Sequence, residues 1–324
     1  MRTKRFRRSL NLLCWLTRAE IFILYSNKAS SNEPRGLGYL DSHSDVLTLN
    51  FEVKSPSPSN LGITKAKRKV REQTETVEIQ LAQDKTALRT RTGDTGSVVW
   101  RASVDFARMI LEQHHAKSPV SLFDEKLKDA TVLELGFDYL CNSGIPLIRI
   151  SRSGTGLLSV ALSPLVGRYT ATDIGELVPL LRKNLSLNFP GWPAVSTKQG
   201  ILAPGHNVSV DELNWETLHS TPPHRRSQLF PPPPSPFDIV LVVDCIYHPS
   251  LLPPLLATID HVSTPGTTAV LVIMELRAED VTREFLEGWL TLGRGEWEIW
   301  RIENESMLGK DQPYVMWVGW KPTV

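Results

Sequence analysis

The chain has 324 residues, 41% hydrophobic and 22% charged, which is the composition of a folded globular protein and excludes collagen-like, low-complexity and membrane-embedded classes. Lysine and arginine number 36 against 35 acidic residues, a formal charge of +1, so no overall field draws the chain to nucleic acid and partner choice must be local. The three cysteines, Cys14, Cys141 and Cys245, are widely spaced and show no CxxC pattern of a zinc or redox site, which predicts a reduced, intracellular protein.

The first 28 residues are strongly basic around an apolar stretch, but Arg18 and Glu20 interrupt the run from Leu10 to Tyr25, so neither an export signal nor a membrane span is expected. Ser55–Gln73 passes from serine and proline into the basic cluster Lys65, Lys67, Arg68, Lys69 and Arg71. Such a composition cannot bury enough apolar surface to order itself and reads as a linker, with a nuclear signal or a patch for an acidic partner as alternatives. Residues 1–75 are therefore expected to be a largely flexible extension, and residues 76–324 the folded domain.

Thr76–Leu81 alternates apolar and polar residues as a half-buried strand does, and Val99–Glu112 has apolar residues at helical spacing. Strand-like runs at Thr131–Leu135, Arg168–Thr172, Asn207–Val210, Asp238–Val243 and Ala269–Met274 then alternate with helical patterns at Leu157–Ser163, Glu176–Leu187, Leu251–His261 and Val281–Leu292. Repeated strand-helix-strand order predicts an α/β fold with a doubly wound, mostly parallel sheet. The last two runs, Trp297–Ile302 and Tyr314–Trp320, have no helix between them, which predicts one antiparallel strand near the end of a seven-stranded sheet. Pro222–Pro236 is so rich in proline that an exposed loop, without helix or inner strand, is expected there, with its core at 222–236.

In such a sheet ligands bind beyond the carboxyl ends of the strands, and the first strand-to-helix turn needs glycine for close approach. The run Val132-Leu133-Glu134-Leu135-Gly136 ends a strand in glycine, and Ser153-Gly154-Thr155-Gly156-Leu157-Leu158 has the form of the rest of that turn and its helix start. Phe137–Arg152 stands between the two pieces, sixteen residues in a connection that usually takes about 2–6. Asp173 ends the next strand, where a carboxylate accepts hydrogen bonds from ribose hydroxyls of a dinucleotide or of S-adenosylmethionine, or caps the following helix. The residues alone leave those cofactors open.

Five motifs in order, TGSVVWRAS (Thr95–Ser103), VLELG with SGTGLLS, TATDI (Thr170–Ile174), DELNW (Asp211–Trp215) and FDIVLVVDCIY (Phe237–Tyr247), resemble the methyltransferase-like 21 group of protein-lysine methyltransferases. The resemblance covers the chain from about Glu78 to Trp320, and the lead-in IQLAQDKTALRTRTGDTGSVVWRAS is most similar to a fungal branch associated with a large-subunit ribosomal protein of the L1 type. It implies a Rossmann-like class I methyltransferase, S-adenosyl-L-methionine as cofactor and a ribosomal protein as substrate, with no direct nucleic-acid or membrane partner. It further implies a monomer working in the cytoplasm, or also in the nucleus.

By the same resemblance Trp100 and Trp215 border the cofactor, Glu134 contributes to its binding, Gly136, Ser153, Gly154 and Gly156 match the glycine turn, Asp173 is the ribose acid and Val243 lies near the cofactor. Asp244-Cys245-Ile246-Tyr247 matches an Asp-x-x-Tyr signature at the catalytic mouth, which implies that Asp244 orients the acceptor amine or takes its proton while Tyr247 packs on its stem. Glu275 and Arg277 reach the same rim, either reading the substrate or pairing with each other. Cys245 reads as a buried filler.

Two other readings remain: a nucleotide-dependent oxidoreductase on the same sheet, and a non-catalytic binding protein or inactive gene-model product whose cofactor loop is interrupted. Phe137–Arg152 has the in-frame length of a short retained intron and little polarity. The chain as written is thus expected to fold but to bind cofactor poorly, and removal of the insert to give ELGSGTGLL to restore binding.

Overall fold

The computed structural model describes residues 2–6, 19, 21–26, 38, 40–41, 44–56, 72–84, 98–117, 121–123, 125–136, 155–194, 196, 200–293, 295–303 and 314–323. Its strands are β1 (Arg2–Phe6), β2 (Val46–Pro56), β3 (Glu72–Ala82), β4 (Thr131–Leu135), β5 (Arg168–Asp173), β6 (Val208–Glu212), β7 (Ile239–Val243), β8 (Ala269–Glu275), β9 (Glu298–Glu303) and β10 (Tyr314–Trp320). Its α-helices are α1 (Arg101–His115), α2 (Leu157–Leu162), α3 (Val178–Asn188), α4 (Trp215–Ser220), α5 (Arg226–Leu229), α6 (Leu252–Val262) and α7 (Glu279–Thr291), with a short helical segment at residues 21–26.

The main sheet has the order β1-β9-β10-β8-β7-β4-β5-β6. From β8 to β6 every pairing is parallel, and β10 lies antiparallel between β8 and β9. The seven strands from β9 to β6 thus contain the single reversed strand that the loop-connected end of the sequence predicts. β1 adds an eighth, antiparallel to β9.

Side chains alternate across this sheet because successive residues of a strand point to opposite faces. Leu133 and Leu135 of β4, Val240 and Val242 of β7 and Val270 and Val272 of β8 face a layer built by α4, α6 and α7. Val132, Leu241, Val243, Leu271 and Ile273 face the opposite layer, built by α1, α2 and α3. Strands buried on both sides need continuous apolar runs, and that is the pattern of residues 239–243 and 269–274.

Two expectations are corrected. The extension placed at residues 1–75 contains β2, which pairs antiparallel with β3 over eleven residues and drives Leu49, Phe51 and Val53 into the core beside Ile79 and Leu81. The boundary at 75/76 therefore cuts a hairpin, although its connection, with the basic cluster, lies outside the described residues. The proline-rich stretch is also not loop throughout: Pro223–Arg225 forms a 3-10 turn running into α5. Proline is compatible with the first turn of a helix, where its missing N–H has no partner to lose, and chain extension resumes only at the prolines from 231 onward.

The hairpin is fastened to the domain by asparagine. From α3, Asn184 accepts from the Ala82 N–H (2.7 Å) and donates to the Ala82 carbonyl (3.0 Å). One turn later Asn188 does the same with Gln80, at 2.9 and 2.7 Å. Two side chains four residues apart on a helix lie on one face, so they stand in for a neighbouring strand along the edge of β3. Asn184 also donates to the Thr155 carbonyl (2.8 Å), which ties the strand edge to the turn before α2. Replacing Asn184 by Ala leaves three buried backbone groups without that partner, and a loss of about 2–3 kcal/mol is expected in urea unfolding. A loss below about 0.5 kcal/mol, the level of a neutral surface change, would show that the edge is held by other means.

Candidate active site

The strand order reverses between β4 and β7: the chain proceeds outward through β5 and β6 on one side and through β7 and β8 on the other. A crevice opens at such a switch point, outside the carboxyl ends of the strands. Gly136 stands at the end of β4, Asp173 at the end of β5 and Asp244 just after β7, so three positions singled out in the sequence share one rim.

Gly136 donates its N–H to the Thr172 carbonyl (2.9 Å), which carries the sheet register one residue past β4. On the far side of the turn Gly156 is the N-cap of α2 with φ +68°, a left-handed conformation that glycine adopts without steric cost. A Cβ there would stand 3.0 Å from Leu181 Cδ2 and 3.1 Å from Ser159 Oγ, so close helix packing also requires glycine. Ser153, Gly154 and the insert Phe137–Arg152 lie outside the described residues.

Glu134 is buried with its carboxylate accepting from the Tyr169 hydroxyl (2.8 Å), and burial pushes its carboxyl up to about 7. Its side chain shares a sheet face with Val132, so it lies in the core beneath α1 and α2. The Asp173 carboxylate is wholly buried, with Oδ1 accepting from the Ile174 N–H (2.8 Å). Val243 is buried against the α1–α3 layer. Trp215 opens α4, fully buried among Leu133, Leu135 and Ile246, and its preceding residue Asn214 caps the helix by accepting from the Thr217 N–H (2.6 Å).

Trp100 is the N-cap residue of α1 and is held from several sides. Backbone bonds flank it, from the Arg101 N–H to the Gly38 carbonyl and from the Leu40 N–H to the Val99 carbonyl, both 2.9 Å. Gln83, just past β3, accepts from the Val99 N–H (2.9 Å) and donates to the carbonyls of Asp41 and Ser44, each at 2.9 Å. The sequence reading did not single out Gln83 or Asn184. Both act on backbone atoms far away in the chain, and a buried amide in a polar-rich stretch carries no spacing signal that would mark it.

Asp244 has φ +56°, uncommon for a residue with a side chain, and its carboxylate is 1% exposed. Arg277 grips it with both ends of the guanidinium, Nη1 to Oδ1 at 2.7 Å and Nη2 to Oδ2 at 2.9 Å. The Glu275 N–H adds a bond to Oδ1 (3.3 Å), and Glu275 Oε2 accepts from Arg277 Nη2. The guanidinium also lies 5.7 Å from the centre of the Trp100 ring. Tyr247 is half-buried against the α4–α7 layer. Cys245 is fully buried, its Sγ donating to the Val243 carbonyl (3.3 Å), which fits a filler. Tyr314 of β10 donates to Asp105 Oδ2 (3.0 Å), and burial together with the nearby carboxylates holds its hydroxyl above the ordinary tyrosine range.

A separate cleft of about 390 Å³, lined by helical residues such as His219, Leu252, Leu256, Asp260 and Glu284, includes none of these side chains. Among the described residues no group of three or more His, Cys, Asp or Glu could hold a metal ion, and no helix is long and apolar enough to cross a membrane.

A family model described as lysine methyltransferase matches residues 80–289. The chain is 30% identical over 212 residues to a diaminohydroxyphosphoribosylamino-pyrimidine deaminase of Schizosaccharomyces pombe, a match covering 64% of this chain and 41% of that one. It is 34% identical over 127 residues to the protein-lysine methyltransferase METTL21E of Bos taurus, covering 39% and 37% of the two chains. With the ribosomal lysine N-methyltransferase 5 of Eremothecium gossypii it shares 24% identity over 276 residues, covering 76% and 84%. The chain thus spans about two fifths of the length of the first two relatives and most of the third.

Proposed function

Because the chain belongs to the lysine methyltransferase family, we propose that it transfers a methyl group from S-adenosyl-L-methionine to a lysine of a large-subunit ribosomal protein, acting as a monomer in the cytoplasm or nucleus. The observation that carries this reading is the convergence of Gly136, Asp173 and Asp244 on one rim of the sheet's switch point, within the span the family model matches. The ribosomal substrate is supported by the name of the fungal relative whose length the chain mostly covers.

The described residues fit the cofactor. Asp173 stands at the strand end where a carboxylate would accept from the ribose hydroxyls, and Gly156 takes up the left-handed turn before α2 without a side chain of its own. Val243 ends β7 next to Asp244, and the Trp100 indole lies against the guanidinium that holds Asp244, which supports a cofactor role for both. When bound, S-adenosylmethionine supplies an electrophilic methyl on its sulfonium.

What remains for the protein is alignment and delivery of a neutral amine. A lysine with an ordinary pKa near 10.4 costs about 4–5 kcal/mol to deprotonate at pH 7. Both Asp244 oxygens are engaged by Arg277, so the carboxylate fixes the cation and the rim on the acceptor side instead of taking the proton, which leaves to water. Tyr247 offers its half-exposed ring to the aliphatic stem of the acceptor.

The test is incubation of the full chain, and of the chain lacking Phe137–Arg152, with methyl-labelled cofactor and purified large-subunit ribosomal proteins, with the modified residue read by mass spectrometry. Label on a lysine is expected, and label absent from every ribosomal protein overturns the substrate. Asp173→Asn is expected to weaken binding of S-adenosylhomocysteine by about 1–3 kcal/mol in calorimetry, the range for a lost hydrogen bond to a charged group. Unchanged affinity in the folded variant removes Asp173 from the pocket.

A further inference from the structure

We propose that Arg277 is a positioning residue that sets the acceptor side of the pocket against its cofactor side, by holding the Asp244 carboxylate and the Trp100 indole on one guanidinium. What the pocket does rests on the methyl-transfer reading above; the arrangement itself does not. An exposed ion pair contributes little and specifies no geometry. This one differs, because Asp244 is 1% exposed, Arg277 is 25% exposed, and the contact is bidentate. Two parallel N–H···O bonds fix the plane of the guanidinium, and that plane then fixes where an aromatic face can lie against it.

Arginine alone among the cations can do both. A lysine ammonium is a point charge that reaches one carboxylate oxygen and has no flat face to lay on an indole. The third wall is Gly38, with φ +93°: a Cβ at this position would stand 2.9 Å from Arg277 Nη2 and 3.0 Å from Trp100 Cζ3. The chain therefore leaves a side chain out of a place where it would push the guanidinium and the indole apart. Other ionisable groups facing the pair are Glu275, which takes the second hydrogen of Arg277 Nη2, and Tyr314, whose hydroxyl is bonded to Asp105.

The experiment measures kcat and KM for the protein substrate for the native chain, Arg277→Lys, Arg277→Met, Asp244→Asn and the double variant Arg277→Met/Asp244→Asn. In Arg277→Met the buried Asp244 carboxylate loses its bidentate partner and the Trp100 indole loses the cation beside it. Its kcat is expected to fall at least about 100-fold, and the double variant to fall no further than Asp244→Asn alone, because both substitutions break the same contact. Arg277→Lys restores the charge but stays at least about tenfold below the native chain, because the fork is gone.

Native kcat in Arg277→Met, or full restoration by Lys, overturns the proposal. If the native chain methylates no protein, the functional reading fails, and the arrangement is still tested by urea unfolding. Arg277→Met should then be less stable than the native chain, because a buried carboxylate is left without its partner, and the double variant should recover part of that loss. Native stability in Arg277→Met, or no recovery in the double variant, overturns the role assigned to Arg277.

Discussion

Glu134→Gln is expected to stabilise the chain at pH 8 by about 1–3 kcal/mol and to flatten the dependence of its stability between about pH 5 and pH 7. Burial raises the Glu134 carboxyl to about 7 from an ordinary value of 4.5, with the Tyr169 hydroxyl offsetting only part of that. The folded chain therefore keeps a proton that the unfolded chain releases, and stability falls as pH rises through that window and is level above it. Glutamine resembles the protonated acid at every pH and still accepts from Tyr169. Its second amide hydrogen needs a partner in the core, which is why the gain is set below the full titration value. Urea midpoints for both chains from pH 5 to 9 decide the matter: parallel curves would mean that Glu134 stays ionised in the fold. Because the side chain points into the α1–α2 layer, cofactor affinity should stay within about threefold.

Much of the architecture can be read from the sequence because it is written in short periods. The runs at Thr131–Leu135 and Tyr314–Trp320 are the observed strands to the residue, the five other predicted strands of the main sheet differ by one or two residues at an end, β3 begins four residues before the expected Thr76, and β1 was not expected. The strand β2 escaped even though Leu49, Phe51 and Val53 alternate as a half-buried strand should. Its partner begins sixteen residues further on, beyond serine, proline and a basic cluster, and that intervening composition masked the pairing.

The site divides the same way. Gly136, Asp173 and Asp244 stand at strand ends, where position along the chain implies position in space. The links that hold the site do not follow from position in the chain. Asn184 reaches Ala82 across 102 residues, and Arg277 meets Asp244 across 33, through side-chain geometry that no local pattern encodes. For Arg277 the sequence left two choices, reading the substrate or pairing with Glu275, and the structure shows the Glu275 pair and adds a bidentate one with Asp244.

The largest functional loss is expected from Asp244→Asn, at least about 100-fold in methylation with cofactor affinity within about threefold, since a misplacement near 1 Å is worth that much in rate. Asparagine tolerates the left-handed backbone at this position as aspartate does, so the fold should survive. It cannot satisfy Arg277, because its amide nitrogen would face a guanidinium N–H where Oδ2 now accepts. Tyr247→Ala should cost less, about 10- to 100-fold, because it removes packing on the acceptor stem and leaves the Asp244 clamp in place. Asp244→Gly separates carboxylate from backbone: glycine suits φ +56° better than either acid or amide, so this variant should retain the turn while losing activity as fully as Asp244→Asn. Radiolabel transfer and calorimetry with S-adenosylhomocysteine on all three variants distinguish the roles. Activity that persists in Asp244→Gly would mean that the position serves only the turn, whereas a matching loss of cofactor binding in every variant would assign the motif to the pocket instead of to the acceptor amine.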